Sequence, residues 1–264
     1  MRLNKYIAHN SRYSRREADV LIQEGKVKVN KTYITDFGYQ VKEGDRVYIK
    51  GKEITPKAKH EVTMIVYNKP KGSLVTKKDD RGRTTIYHLL PGKFRHFIPV
   101  GRLDFASEGL LLLTDNSYYA TILMNSKLPR VYNIKIDKML SKEMIEAMQN
   151  GLSLDDARAG AHKSSEIVSM EFAPFAGFVV RSEGRNYTKL KVAITEGKNR
   201  ELRRFFGHFG AKVLDLKRVS YGPFELNNLP ENKTRFLSSK EYEILHKIIK
   251  EEEKHDKQKN RDKI

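Results

Sequence analysis

Four consecutive leucines, Leu110 to Leu113, constrain the fold of this chain more than any other feature. They are bounded by Gly109 on one side and by Thr114-Asp115-Asn116 on the other. So short an apolar run between turn formers reads as a β-strand buried on both faces. The chain enters it through a polar loop, Gly101-Arg102-Leu103-Asp104-Phe105-Ala106-Ser107-Glu108. The carboxylate of Asp104 is thereby held at the mouth of a rigid core element, where catalytic groups are positioned well. Taken alone the pattern leaves a plainer reading open, because a loop aspartate is more often a cap or a turn former.

The charge balance points to a partner. There are 51 Lys+Arg against 33 Asp+Glu in 264 residues, a formal net charge of +18. That excess favours a polyanion, usually nucleic acid; a basic but otherwise ordinary protein is the alternative. The absence of cysteine excludes disulfides, thiolate metal sites and cysteine nucleophiles. No apolar stretch approaches membrane-spanning length, and the N-terminus lacks a signal-peptide core, so a soluble cytoplasmic protein is expected. Hydrophobic residues at 39% suffice for a packed core.

Residues 1–50 read as a compact basic unit. Leu3, Ile7 and Ala8 follow helical spacing, and Ser14-Arg15-Arg16-Glu17 is a capping box opening a helix that stops at Gly25. Lys26 to Asn30 and Arg46 to Ile49 read as strands. Residues 51–61 read as a linker, 62–247 as one α+β domain, and 248–264 as a charged, disordered tail. In the large domain, strands are expected at Met64–Tyr67, along Tyr132, Ile134 and Ile136, along Leu190, Val192 and Ile194, and at Val213–Val219. Asn116 and Ser141 are candidate helix caps. A further helix places Leu202, Phe205, Phe206 and Phe209 inward, with Arg200, Arg203 and Arg204 on its other face.

Arg15 and Arg16 occupy the first turn of a helix, where the macrodipole disfavours cations by roughly 0.3–1 kcal/mol each. Beside free helix N–H groups they make a phosphate site, with a solvated face as the plainer alternative. Arg2-Leu3-Asn4-Lys5-Tyr6-Ile7-Ala8, Ser14 to Asp19, Ile22 and Gly25 to Asn30 resemble the small RNA-binding module shared by a small-subunit ribosomal protein, tyrosyl-tRNA synthetase and several RNA-modifying enzymes. The resemblance makes Lys5, Arg15 and Arg16 candidate RNA contacts.

Four further segments appear in order: Tyr67 to Gly72, Gly101 to Asp104, Glu196 to Arg204, and Leu216-Lys217-Arg218 with Tyr221 to Phe224. Together with the module they resemble the RsuA/RluB/RluE/RluF family of ribosomal RNA pseudouridine synthases, from Arg2 to about Leu237. The resemblance implies a catalytic domain on a mixed, mainly antiparallel sheet. It also implies isomerisation of a uridine within ribosomal RNA, in the free RNA or an assembling particle, by a monomer needing no metal or other cofactor. Asp104 matches the family's catalytic aspartate, Tyr132 its active-site tyrosine and Arg203 its basic partner. Arg102 matches the position that fills the gap left by a flipped nucleotide. Ile194 and Leu202 would wall the pocket and Lys69 and Pro70 its floor. Arg81, Arg83, Lys198, Arg200 and Arg204 are candidate phosphate contacts.

The chain departs from the family pattern at Ser107, where threonine is more usual, and at Asp115-Asn116-Ser117. Neither departure touches the implied chemistry. The segment Gly151 to Asp156 looks closer to the large-subunit RluB type than to the small-subunit RsuA type. Two other classes fit these residues less well. A binding-only ribosome assembly factor has no use for a carboxylate near phosphates. A two-metal nuclease needs converging carboxylates, and the adjacent acidic pairs Asp79-Asp80 and Asp155-Asp156 read as surface loops.

Overall fold

The computed structural model describes residues 1–11, 13–55, 62–162 and 164–261. They divide into two units: Met1–Thr63 with Asp115–Tyr119, and Met64–Thr114 with Ala120–Ile264. The first unit carries α1 (Leu3–Asn10), α2 (Arg15–Gln23) and four short strands, β1 (Val27–Val29), β2 (Thr32–Tyr33), β3 (Val47–Ile49) and β4 (Lys52–Ile54). The strands form an antiparallel sheet in the order β2-β1-β3-β4. Glu17 N–H donates to Ser14 Oγ at 3.2 Å and Ser14 N–H to Glu17 Oε2 at 2.7 Å, so the capping box is complete. Leu3 and Ile7 of α1, Ala18, Leu21 and Ile22 of α2, and the inward valines and isoleucines of the strands form one small core.

This unit corrects the expected linker at 51–61. Lys50 and Gly51 both have positive φ, +49° and +79°, as a two-residue hairpin turn of the primed type requires. The chain therefore folds back into β4, and Ile54 joins the core. Residues 56–61, the rest of that stretch, lie outside the described residues.

The second unit is a nine-stranded sheet. Its elements are β5 (Met64–Lys69), α3 (Ile86–Leu89), β6 (Ile98–Pro99), β7 (Glu108–Thr114), α4 (Ser117–Asn125), β8 (Arg130–Ile136) and α5 (Lys142–Asn150). There follow β9 (Leu152–Leu154) and β10 (Met170–Phe172), which form a separate pair, then β11 (Gly177–Gly184), β12 (Tyr187–Ile194), α6 (Glu201–His208), β13 (Val213–Tyr221), β14 (Phe224–Glu225), β15 (Thr234–Phe236) and α7 (Ser239–Arg261). The main path runs β11-β12-β8-β13-β7-β5-β15, with β14 on β13 and β6 on β7. Only the β13–β7 pairing is parallel, so the sheet is mixed and mainly antiparallel. Asn116 caps α4 through the N–H groups of Tyr118 and Tyr119, and Ser141 caps α5 through Met144 N–H.

The leucine run is β7. All four leucines are fully buried; Leu111 and Leu113 join the main core with Tyr132, Ile134, Phe205 and Phe206, while Leu110 and Leu112 face the other side. Gly109 makes the junction possible. A Cβ there would lie 2.2 Å from Arg218 O, and its φ of +102° is one that L side chains rarely adopt. Gly109→Ala is expected to force β13 away from β7 at a cost of about 3 kcal/mol or more, lowering the unfolding midpoint by roughly 6–12 °C. Thermal unfolding reads this directly; an unshifted midpoint would mean the two strands part freely.

The C-terminal stretch also differs from expectation. A disordered tail from residue 248 is replaced by α7, which continues to Arg261. Leu245 and Ile249, one helical turn apart, are buried, so packing extends beyond residue 247. The Glu and Lys residues that follow are good helix formers and carry the helix on. Residues 262–264 lie outside the description.

Candidate active site

The loop bearing Asp104 is fixed by its own backbone. Lys69, at the end of β5, is fully buried, and its Nζ donates to Pro70 O at 2.9 Å, Asp104 O at 3.2 Å and Ser107 O at 2.8 Å. Gly72 N–H donates to Phe105 O at 2.8 Å. Arg203 Nη2, from α6, donates to Ala106 O at 3.1 Å and to Ser107 Oγ at 3.3 Å. The four carbonyls of residues 104–107 are each held in this way. The Asp104 side chain, 30% exposed, lines a cleft of about 1500 Å³.

Two guanidiniums face that carboxylate. Arg200 Nη1 lies 3.6 Å and Arg203 Nε 3.9 Å from Asp104 Oδ2, near enough to compensate its charge but beyond hydrogen-bond length. Arg200, with a left-handed φ of +52°, heads α6, and its Nε donates to Gly160 O at 2.8 Å. Arg203 Nη1 donates to Val213 O at 3.0 Å, while Nε is buried and without a hydrogen-bond partner. Burial foremost, then Arg200, pushes the Arg203 guanidinium down, with Asp104 opposing. Tyr132 from β8, Ile194 from β12, and Leu202 from α6 line the same cleft as Asp104. A carboxylate beside an aromatic side chain and apolar walls can take a flat base and present an oxygen to the attached sugar.

Residues 63–208 match the family model described as RNA pseudouridylate synthase. The chain belongs to the RNA pseudouridylate synthase family. Residues 1–47 match the S4 domain, which corresponds to the small N-terminal unit. The synthase is 49% identical over 94% of its length to an uncharacterized RNA pseudouridine synthase of Helicobacter pylori (strain ATCC 700392 / 26695), covering 95% of that protein. It is 30% identical over 92% of its length to ribosomal large subunit pseudouridine synthase B of Bacillus subtilis (strain 168), again covering 95%. A crystal structure of a pseudouridylate synthase shares the fold, with a TM-score of 0.61 at 24% identity over 93% of this chain and 99% of that one.

Several residues expected at the pocket or on RNA are placed elsewhere. Lys69 and Pro70 do not line the cleft; Lys69 lies under the Asp104 loop because its three donors are drawn to backbone carbonyls. Arg204, expected on phosphate, is fully buried. Its guanidinium donates to the carbonyls of Ala157, Ile167 and Asn199 and to Ser165 Oγ, which fastens the segment beside α6. Arg83 and Lys198 do line the cleft, but with acids beside them: Arg83 forks onto Asp79 at 2.6 and 3.2 Å, and Lys198 meets Glu196 at 2.9 Å. Arg200 faces Asp104 rather than the solvent edge. Arg102 is exposed at the cleft, and Arg81 is exposed away from it. In the S4 unit, Lys5 and Arg15 gather with Arg2 and Asn4 around one depression, which Arg16 does not line. There His9 is pushed down to about 4, by burial first and then by Lys5 and Arg15.

The acidic pairs are accounted for by local partners. Asp79 pairs with Arg83 and Asp156 with Arg158, and among the described residues no group of three His, Asp or Glu could hold a metal ion.

Lys69 is expected to give the synthase a pH dependence. Burial pushes its amine down to about 8, against the opposing pull of Asp104 and Glu108. Below that value three N–H donors serve three carbonyls; above it one donor is lost and the hold on the loop weakens. The rate on RNA is therefore expected to fall above about pH 8. Global stability moves the other way: an unfolded lysine keeps its proton to a pKa of about 10.4, so between the two values the unfolded state binds more protons and stability rises with pH. Parallel pH–rate and pH–unfolding profiles test this, and a flat rate from pH 7 to 9.5 would remove Lys69 from the account.

Proposed function

We propose that this synthase isomerises one uridine of large-subunit ribosomal RNA, with Asp104 as the nucleophile. The observation that carries the reading is the anchored loop, which leaves the Asp104 carboxylate in the cleft with Tyr132 and beside two guanidiniums. The target nucleotide leaves its stack at a cost of a few kcal/mol, and stacking on Tyr132 offsets roughly 1–3 kcal/mol of it. Asp104 forms a bond to C1′ as the C1′–N1 bond breaks, its electron pair leaving on uracil N1. The uracil turns, C5 attacks C1′ and displaces the carboxylate, the C5 proton passes to solvent and N1 takes one up. Arg203 and Arg200 hold the carboxylate in place and balance its charge, Arg102 fills the gap in the RNA, and the S4 unit adds affinity through Lys5, Arg15 and Arg16. The large-subunit target is supported by relatives bearing that name in Bacillus subtilis and Pseudomonas aeruginosa, the latter 34% identical over 92% of this chain.

The test is a map of pseudouridines in ribosomal RNA from cells lacking the protein, with and without the wild-type chain or Asp104→Asn. One large-subunit site should vanish and return only with wild type. Disappearance of a small-subunit site would reassign the target, and full rescue by Asp104→Asn would leave a binding-only assembly role.

A further inference from the structure

We propose that Arg218 is the ligand for a phosphodiester group of the bound RNA inside the catalytic cleft. The inference rests on the function proposed above. Arg218 stands on β13 directly opposite Tyr132 of β8, so both side chains leave the same face of the sheet, and both line the cleft. It is 3% exposed. Among the described residues its one hydrogen bond runs from Nε to Leu110 O at 2.7 Å, and Nη2 is buried with no partner. Its guanidinium carbon lies 5.4 Å from the centre of the Tyr221 ring, against which it is held. No acid lies within 4 Å of it among the described residues.

A buried cation left without an anion, and a buried donor left without an acceptor, both oppose folding. Their persistence in a cleft argues for a ligand that supplies what is missing. Arg102 and Lys127 are exposed at the cleft, and most of its other cations are already engaged. Arg200 and Arg203 face Asp104, Arg83 is taken by Asp79, and Lys198 by Glu196. Arg130, whose guanidinium carbon lies 4.8 Å from the same ring centre, spends its terminal nitrogens on Thr195 O, Met124 O and Tyr221 Oη. A phosphate entering beside the Asp104 carboxylate needs a cation not already neutralised, and Arg218 is the buried one that fits. Nε held by Leu110 sets the plane of the guanidinium, so an anion meets an oriented fork rather than a mobile charge. One further acid lines the cleft, Glu201, which burial pushes up to about 7. Its Oε2 accepts from Lys198 N–H at 2.9 Å.

The experiment uses the full chain and a synthetic ribosomal RNA stem-loop containing the uridine that wild type isomerises. Single phosphates on either side of that uridine are replaced by neutral methylphosphonates. One linkage should weaken wild-type binding about tenfold and weaken Arg218→Gln less than twofold. The slope of log K against log salt should drop by roughly 0.7–0.9 in that variant. Equal penalties in both proteins at every linkage, or an unchanged slope, overturn the proposal, as does an Arg218→Gln variant that now binds cytidine at the target in place of uridine. If Arg218→Gln does not fold, Arg218→Lys decides: a linkage penalty at least threefold smaller than in wild type supports the phosphate site, and an equal one overturns it. Failure of wild type to form pseudouridine in the unmodified stem-loop would count against the proposed function instead.

Discussion

Asp104→Asn is expected to lower single-turnover pseudouridine formation by about 10⁴-fold or more while leaving the protein folded and bound to RNA. On the proposed mechanism the substitution removes the covalent step outright, and effects of that order follow when a nucleophile is deleted elsewhere. The structure explains why the fold should survive. What fixes the loop is the set of carbonyls at 104–107, held by Lys69, Gly72 and Arg203, and an asparagine leaves all of them in place. Removal of a negative charge from a cleft that admits RNA should tighten binding by a small factor. Release of the uracil C5 hydrogen to solvent, read in one turnover beside an RNA-binding isotherm, separates the two effects. Activity within tenfold of wild type would take the nucleophile assignment away from Asp104.

Arg203→Met is expected to act on both rate and stability. The guanidinium bonds to Val213 O, Ala106 O and Ser107 Oγ and faces Asp104 through Nε. Methionine fills similar volume, takes the Arg203 donors from the buried Val213 carbonyl and from Ala106 O, and strips one of two compensating charges from the carboxylate. The unpaired groups cost about 1–3 kcal/mol each, a drop of several degrees in the unfolding midpoint. The rate should fall by roughly 10²–10³, the scale of losing one preorganised charge-stabilising group. Arg203→Lys separates the contributions: it keeps the charge but cannot span the three acceptors, so it should recover part of the rate and little of the stability. If Arg203→Met loses stability alone and turns over normally when folded, its role is confined to holding the loop.

What could be read from the residues alone was local. The leucine run, the Ser14 capping box, the Asn116 and Ser141 caps and the alternating strands around Tyr132 and Leu190 each rest on interactions within one element, and each is present. The convergence of Asp104, Tyr132, Ile194 and Leu202 on one cleft was legible through resemblance, since nothing in their spacing brings β7, β8, β12 and α6 together. The arginines were not legible. Arg200, Arg203 and Arg204 look alike along the chain, yet one faces the Asp104 carboxylate, one bridges loop and strand, and one is buried against the carbonyls of Ala157 and Ile167. Their fates depend on carbonyls contributed from up to 97 positions away, and charge patterning does not encode those. Lys50-Gly51 was the missed local signal: read as a hairpin turn instead of the start of a linker, it would have yielded β4.

The way the Asp104 loop is fastened bears on how such an enzyme can change over generations. Every residue type supplies the same peptide oxygen, so the fastening is indifferent to which side chains occupy positions 105 and 106. Phe105 is 44% exposed, and what Gly72 N–H holds is its carbonyl. On the proposed function, substitutions there would change the cleft surface offered to RNA while the backbone anchors keep the carboxylate in place. Recognition and chemistry thus share one short loop while remaining open to separate selection.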